Sequence, residues 1–269
     1  MTENRDSYLL AGKPTELERL QLQSKVWEPA GRSLLARIPR REAPRAVDVG
    51  CGALGWLRVL GEWAGPNGEV IGADIDEAML AAAGAFAQAE GLGNVTLRRD
   101  DLFASALPAH SFDLVHARFQ LAPLGRVEEQ LHAFRRLVKP DGWLVLEEPD
   151  LASWRVNPDA PGTARLIETI EKAFLAAGGD FNAGRALPGH FRRWGVAASV
   201  DAHVVALPPG HPYLRLPLQF AVSLKPRLEA LVGADGAREL VATAESELAR
   251  PDVWGTSFTL IQAAAVIPA

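Results

Sequence analysis

Between residues 46 and 147 the chain alternates short apolar runs with longer helical stretches, and this alternation limits the fold more than any other feature. Ala46–Val49, Val70–Asp74, Val95–Leu97, Phe112–His116 and Trp143–Glu147 read as strands rich in β-branched and apolar residues. The stretches 54–64, 77–90 and 126–138 read as helices. Strands that return only after a helix run parallel, and a parallel sheet needs helices on both faces. The rhythm changes after Pro149. A helix over 161–177 stops at Gly178-Gly179, and Val196–Leu207 alternates as a strand until Pro208-Pro209-Gly210. Residues 213–249 are again helical, and Ser257–Ile267 is a last strand. The expected fold class is α/β: a Rossmann-like, doubly wound, mostly parallel seven-stranded sheet.

Residues 1–44 read as an amphipathic helical arm, with Thr15 and Glu18 at capping-box spacing and Leu17, Leu20, Val26 and Trp27 roughly on one stripe. The chain therefore divides into an arm (1–44), a core (45–150) and a remainder (151–269). That remainder completes the sheet and inserts helices at about 151–195 and 210–255. Arm and insertions together are expected to form a helical lid over the sheet's carboxyl edge. The single cysteine, Cys51, excludes a disulfide framework and a cysteine-cluster metal site. A net charge of -5 argues against nucleic acid as the main partner. No apolar run approaches the ~20 residues that span a bilayer, and Met1–Asp6 lacks a signal-peptide core. The expectation is a cytoplasmic protein, monomer or homodimer, whose partner is a small molecule and neither nucleic acid nor membrane.

The densest local signal is Val47-Asp48-Val49-Gly50-Cys51-Gly52-Ala53-Leu54-Gly55. Gly50 suits the tight turn that leaves a strand, Gly52 lets a ligand approach the backbone, and Gly55 permits close helix packing. Alone, this spacing fits a dinucleotide equally well. Asp74, ending the second strand, is placed to accept bonds from two ribose hydroxyls. Asp101, after the third strand, stands at the same sheet edge, within reach of an adenine amine. Asp76 reads better as a helix N-cap, and Cys51 as a small loop residue.

Five blocks in order then resemble a class I S-adenosylmethionine-dependent methyltransferase of the small-molecule type. They are Asp48-Val-Gly-Cys-Gly, Asp74-Ile-Asp76, Asp101-Leu102, Phe112-Asp113-Leu114-Val115, and Leu137-Val138-Lys139-Pro140-Asp141-Gly142. The last departs from the family's Lys-Pro-Gly-Gly, but Asp tolerates the left-handed turn. The resemblance implies S-adenosyl-L-methionine as cofactor. Asp48, Gly50, Cys51 and Gly52 would lie under its methionine part, with Ala117 and Arg118 close by. Asp74 would hold the ribose, Ile75 and Met79 flank the adenine, and Asp101 and Leu102 meet the base. By analogy with the leading helix of such enzymes, Tyr8 and Gln23 would close over the cofactor.

Methyl transfer from a sulfonium is an in-line displacement that asks mainly for positioning. A base helps when the acceptor is a hydroxyl and is dispensable for an ionised phenol or a neutral amine. His116 and His190 are the candidate bases. Trp27, Phe119, Trp154, Trp194 and Phe220 are expected to line an apolar or aromatic substrate site, with Glu147 orienting the acceptor. Glu147, Glu148 and Asp150 form one acidic cluster with no partner from another loop, so no metal is expected. The expected activity is methylation of O or N on a small, largely apolar or aromatic acceptor, in a setting such as secondary metabolism. Two rivals stand beside it: an NAD(P)-dependent oxidoreductase on the same glycine loop, and an S-adenosylmethionine-binding protein without methyl transfer.

Overall fold

The computed structural model describes residues 14–268. Among the described residues the strands are β1 (Arg45–Val49), β2 (Glu69–Asp74), β3 (Val95–Arg99), β4 (Phe112–Arg118), β5 (Val138–Asp150), β6 (Arg155–Asn157), β7 (Ser199–His203), β8 (Ala206–Leu207), β9 (Trp254–Thr256) and β10 (Thr259–Ile267). The helices are α1 (Pro14–Leu35), α2 (Leu57–Ala64), α3 (Glu77–Ala89), α4 (Leu121–Leu124), α5 (Val127–Leu137), α6 (Pro161–Ala176), α7 (Leu187–Arg193), α8 (Leu216–Ser223) and α9 (Lys225–Leu248).

Seven strands form one sheet in the order β3-β2-β1-β4-β5-β10-β7. The first five pair in parallel, and β10 runs antiparallel between β5 and β7. Alternation along the strands sorts the core into two faces. Val47, Val49, Val115, Ala117, Leu144 and Leu146 point to the face covered by α5 and α7. Ala46, Val70, Leu114 and Val145 point to the face covered by α2 and the end of α1. A separate apolar cluster fills the space among α1, α6, α8 and α9.

Three details differ from the sequence reading. The stretch 196–207 divides: β7 stays in the large sheet, while β8 joins β9 and β6 in a small antiparallel sheet. Helix α9 changes direction at Gly233, whose φ of 78° is open to glycine at little cost. Helix α1 already includes Pro14, so Thr15 lies within its first turn rather than ahead of it. Asp141 does take the left-handed conformation, with φ 59°.

Candidate active site

The chain leaves β1 through three glycines with positive φ: Gly50 at 66°, Gly52 at 54° and Gly55 at 39°. A Cβ at Gly50 would collide with the Gln120 amide, and one at Gly55 with Asp48 Oδ2. Gly52 is different: among the described residues a Cβ built there would meet only Leu20 Cδ1, at an ordinary contact distance of 3.7 Å. Helix α1 borders the loop. Its Ser24 hydroxyl donates to the Gly55 carbonyl at 3.0 Å.

Behind the loop lies a buried polar row. Strands β1, β4, β5 and β10 present Asp48, His116, Glu147 and Gln262 side by side on one face. His116 is fully buried, with Nδ1 2.7 Å from Asp48 Oδ1 and Nε2 3.1 Å from Glu147 Oε2. Trp56 stacks on the imidazole at a centroid distance of 3.8 Å. Burial works against its charge, but Asp48 and then Glu147 outweigh it and raise the pKa above the ordinary value. Asp48 Oδ2 accepts the Trp56 N–H at 2.7 Å, and Glu147 Oε1 accepts from Gln262.

This row corrects three site expectations. His116 cannot act as a base on an acceptor, because both ring nitrogens are committed to carboxylates inside the sheet. Asp48 braces the glycine loop from behind instead of facing a ligand, and Glu147 is sealed from the crevice. Ala117 and Arg118 follow at the end of β4. Ala117 is packed in the sheet core. Arg118 reaches under the loop, with Nη2 3.1 Å from Ser24 Oγ and Nη1 3.9 Å from Glu147 Oε2.

At the end of β2, Asp74 Oδ2 accepts the Gly52 N–H at 2.8 Å and Oδ1 accepts the Asp76 N–H at 2.9 Å. Burial raises its pKa. Ile75 beside it is 50% exposed. Met79 is half-buried in the first turn of α3, which Asp76 caps. Asp101 is exposed and accepts the Phe103 N–H at 2.9 Å; Leu102 is half-buried after it. The Cys51 thiol is buried and its pKa is raised chiefly by burial, which suits an inert packing role. Tyr8 lies outside the described residues.

Beside the glycine loop, at the carboxyl ends of β4 and β5, is a small pocket of about 30 Å³. Five phenylalanines line it: Phe119, Phe174, Phe181, Phe220 and Phe258. Arg19 and Gln23, one turn apart on α1, complete the wall with Ala122, Pro123 and Pro149. The rings pack mainly edge to face, as at Phe174–Phe181 (5.1 Å) and Phe181–Phe220 (5.6 Å). Phe119 has φ 56°, rare for a bulky residue. Glu148 clamps the turn that follows, accepting the N–H groups of Gln120, Leu121 and Ala122 at 2.8, 2.7 and 3.0 Å. Burial pushes its pKa up to about 8 against the pull of those donors.

Of the expected substrate residues, Phe119 and Phe220 line this cavity. Trp27 and Trp154 stand one layer behind it: Trp27 donates to the Tyr213 hydroxyl at 3.1 Å, and Trp154 stacks on Phe181 at 5.7 Å. Trp194 and His190 sit elsewhere. Trp194 packs on Phe191 and under Arg135, and the half-buried His190 bonds Arg193, beside Glu128. His190 is therefore not positioned as a base for this cavity, and burial then Arg193 lower its pKa. Arg19, Phe174, Phe181 and Phe258 belong to the wall and were not singled out as site residues. The one available signal was Arg19, a charge four residues before Gln23 on an otherwise buried helix stripe.

Residues 46–142 match the family model described as a methyltransferase domain. Nocamycin O-methyltransferase of Saccharothrix syringae is 36% identical over 157 residues, which is 57% of this chain and 55% of that protein. The chain thus spans about half the length of the curated relatives it matches. Among solved structures, a SAM-dependent methyltransferase from Aquifex aeolicus superposes with TM-score 0.57 at 15% identity, over 96% of this chain and 100% of that one. The [4+2]-cyclase SpnF superposes with TM-score 0.54 at 18% identity, over 98% and 100%. At these identities the structures speak for the fold.

Proposed function

We propose that this protein, whose residues 46–142 match the model of a methyltransferase domain, is a class I S-adenosylmethionine-dependent enzyme that methylates oxygen or nitrogen of a small, largely apolar or aromatic acceptor. The reading is supported by the placement of the glycine loop and an aromatic pocket on either side of one helix. Leu20 and Ser24 of α1 face the glycine loop, and Arg19 and Gln23 face the phenylalanines.

The crevice fits S-adenosylmethionine. A side chain at Gly52 would meet only Leu20 among the described residues, the half-buried Asp74 carboxylate stands beside it, and the exposed Ile75 offers an apolar shelf for a base. Asp74 would accept the ribose hydroxyls, with Ile75, Met79 and Leu102 around the adenine and Asp101 toward its amine. When bound, S-adenosylmethionine supplies a methyl group activated by a sulfonium leaving group. The protein's own task is then to hold the acceptor in line and exclude water. The buried Phe181, Phe220 and Phe258 rings serve that exclusion, and Gln23 offers an amide between crevice and cavity.

A second reading, binding of the cofactor without methyl transfer, draws on the superposition with a protein named as a cyclase. The match of residues 46–142 gives no support to the nicotinamide alternative. Calorimetry with S-adenosylmethionine and S-adenosylhomocysteine tests the crevice, comparing wild type with Gly52→Val; equal affinities would refute the assignment. Mass spectrometry of an acceptor screen, seeking a gain of one methylene, separates methyl transfer from binding alone.

A further inference from the structure

Resting on that reading, we propose that Glu148 is a positioning residue of the reaction: its carboxylate fixes the turn after β4 in the conformation that seats Gln120 on the glycine loop while Phe119 forms part of the pocket wall. The turn needs such a clamp. Phe119 stands at φ 56°, and backbone strain of this kind persists only where the surroundings enforce it. Helix α4, which follows, has four residues, so its first N–H groups have no partner one turn back. The buried Glu148 meets three consecutive donors there: Oε1 accepts from Gln120 at 2.8 Å and Leu121 at 2.7 Å, and Oε2 from Ala122 at 3.0 Å. The N–H just before them, that of Phe119, donates to the Glu147 carbonyl at 2.8 Å.

The clamped turn reaches both sides of the site. Toward the crevice, Gln120 Nε2 donates to the Gly50 carbonyl at 3.3 Å, and its amide occupies the space a Cβ at Gly50 would need. Toward the pocket, Phe119, Ala122 and Pro123 are wall residues, and the Phe119 ring meets Phe258 edge to face at 5.7 Å. The rest of the turn is tied down as well. Gln130 Nε2 donates to the Gln120 carbonyl at 3.1 Å and to the Gly125 carbonyl at 2.6 Å, and the Asp180 N–H donates to the Ala122 carbonyl at 2.8 Å.

An in-line displacement depends on the distance and angle between cofactor and acceptor. The turn joins the loop that would carry the one to the wall that would face the other, so its conformation sets both. A carboxylate suits this task because its two oxygens accept several N–H groups at once. In Glu148→Gln one of the two positions becomes an NH₂ group that faces a backbone donor. The turn then opens, although no side chain of the glycine loop or the pocket wall has changed.

The test uses the intact protein with S-adenosylhomocysteine as probe, read by calorimetry at a pH above the value of about 8 to which burial brings Glu148. Wild type, Glu148→Gln, Gln120→Ala and the double variant form a cycle. Each single substitution is expected to weaken binding roughly 3- to 10-fold, the span of one hydrogen bond. The double variant should lie within about twofold of Gln120→Ala alone, because Glu148 acts through that side chain, whereas a general loss of stability would add. Phe119→Asn, which enters the left-handed region more readily, should return part of the affinity lost in Glu148→Gln. Hydrogen exchange gives a second reading: the amides of Gln120, Leu121 and Ala122 should exchange roughly tenfold faster in Glu148→Gln, and in wild type they should slow when the probe is added. If Glu148→Gln does not fold, Glu148→Asp, its carboxylate one methylene short, carries the same cycle with a smaller loss expected. Unchanged affinity in a folded Glu148 variant, losses that add in the double variant, or exchange of these amides that follows neither Glu148 nor the probe would overturn the proposal. Wild type that fails to bind S-adenosylhomocysteine removes the methyltransferase reading and this role with it, whereas binding with additive losses removes only the role of Glu148.

Discussion

His116→Gln probes the buried row that braces the glycine loop. In the native protein the imidazole lies 2.7 Å from Asp48 and 3.1 Å from Glu147, without solvent exposure. Glutamine keeps much of the volume but removes the charge between two carboxylates. Removing one partner from a buried ion pair costs about 3–5 kcal/mol, against a total stability on the order of 5–15 kcal/mol. At about 2–4 °C per kcal/mol for a domain near this size, the melting temperature should fall by roughly 6–20 °C. The pH dependence follows from the raised pKa of His116. A folded value above the unfolded one means that the native state binds the proton more tightly. The contribution is then complete below the unfolded value near ~6.5 and is lost as pH rises through the folded one. Urea unfolding of both proteins from pH 5.5 to 9 checks this. Wild type should show a stability loss above about pH 6.5 that the variant, lacking the imidazole, does not. A variant within about 1 kcal/mol of wild type at pH 6, or the same pH step in both proteins, would refute the charged-row argument.

Other outcomes follow from the same geometry. Asp74→Asn should weaken S-adenosylhomocysteine binding roughly 10- to 100-fold by calorimetry, and, because burial raises the pKa of Asp74, wild-type affinity should decline on acidification sooner than for an ordinary aspartate. Gly55→Ala combines a φ of 39° with a Cβ that meets Asp48 Oδ2, so thermal unfolding should show destabilisation together with weaker cofactor binding. Phe258 touches the rings of Trp27, Phe119, Trp154, Phe181 and Tyr213. Its replacement by alanine should cost about 3–5 kcal/mol in urea unfolding and enlarge the cavity, which relaxed selectivity in an acceptor screen would report.

The parts legible in the sequence are those whose cause is local. Apolar alternation marks a strand within a few residues, and a glycine marks a turn because only its own φ is at issue. Hence β1 to β5, the turn at Gly50–Gly55, the cap at Asp76 and the left-handed Asp141 are all visible without tertiary information. The resemblance to methyltransferases rests on these same local blocks. Asp48, His116, Glu147 and Gln262 are different: each is one polar residue in an apolar strand, and their meaning depends on register across β1, β4, β5 and β10. Before that register is known, nothing local tells a catalytic base at His116 from a structural histidine. The cavity shows the same limit, because its wall gathers residues 19, 119, 174, 181, 220 and 258 from separate elements. The sequence by itself determined that a glycine-rich turn follows the first strand of an α/β sheet, since turn chemistry and periodicity act over a few residues. Only the tertiary structure decided which side chains meet a ligand and which lie behind them, since that is a matter of packing between elements far apart in the chain.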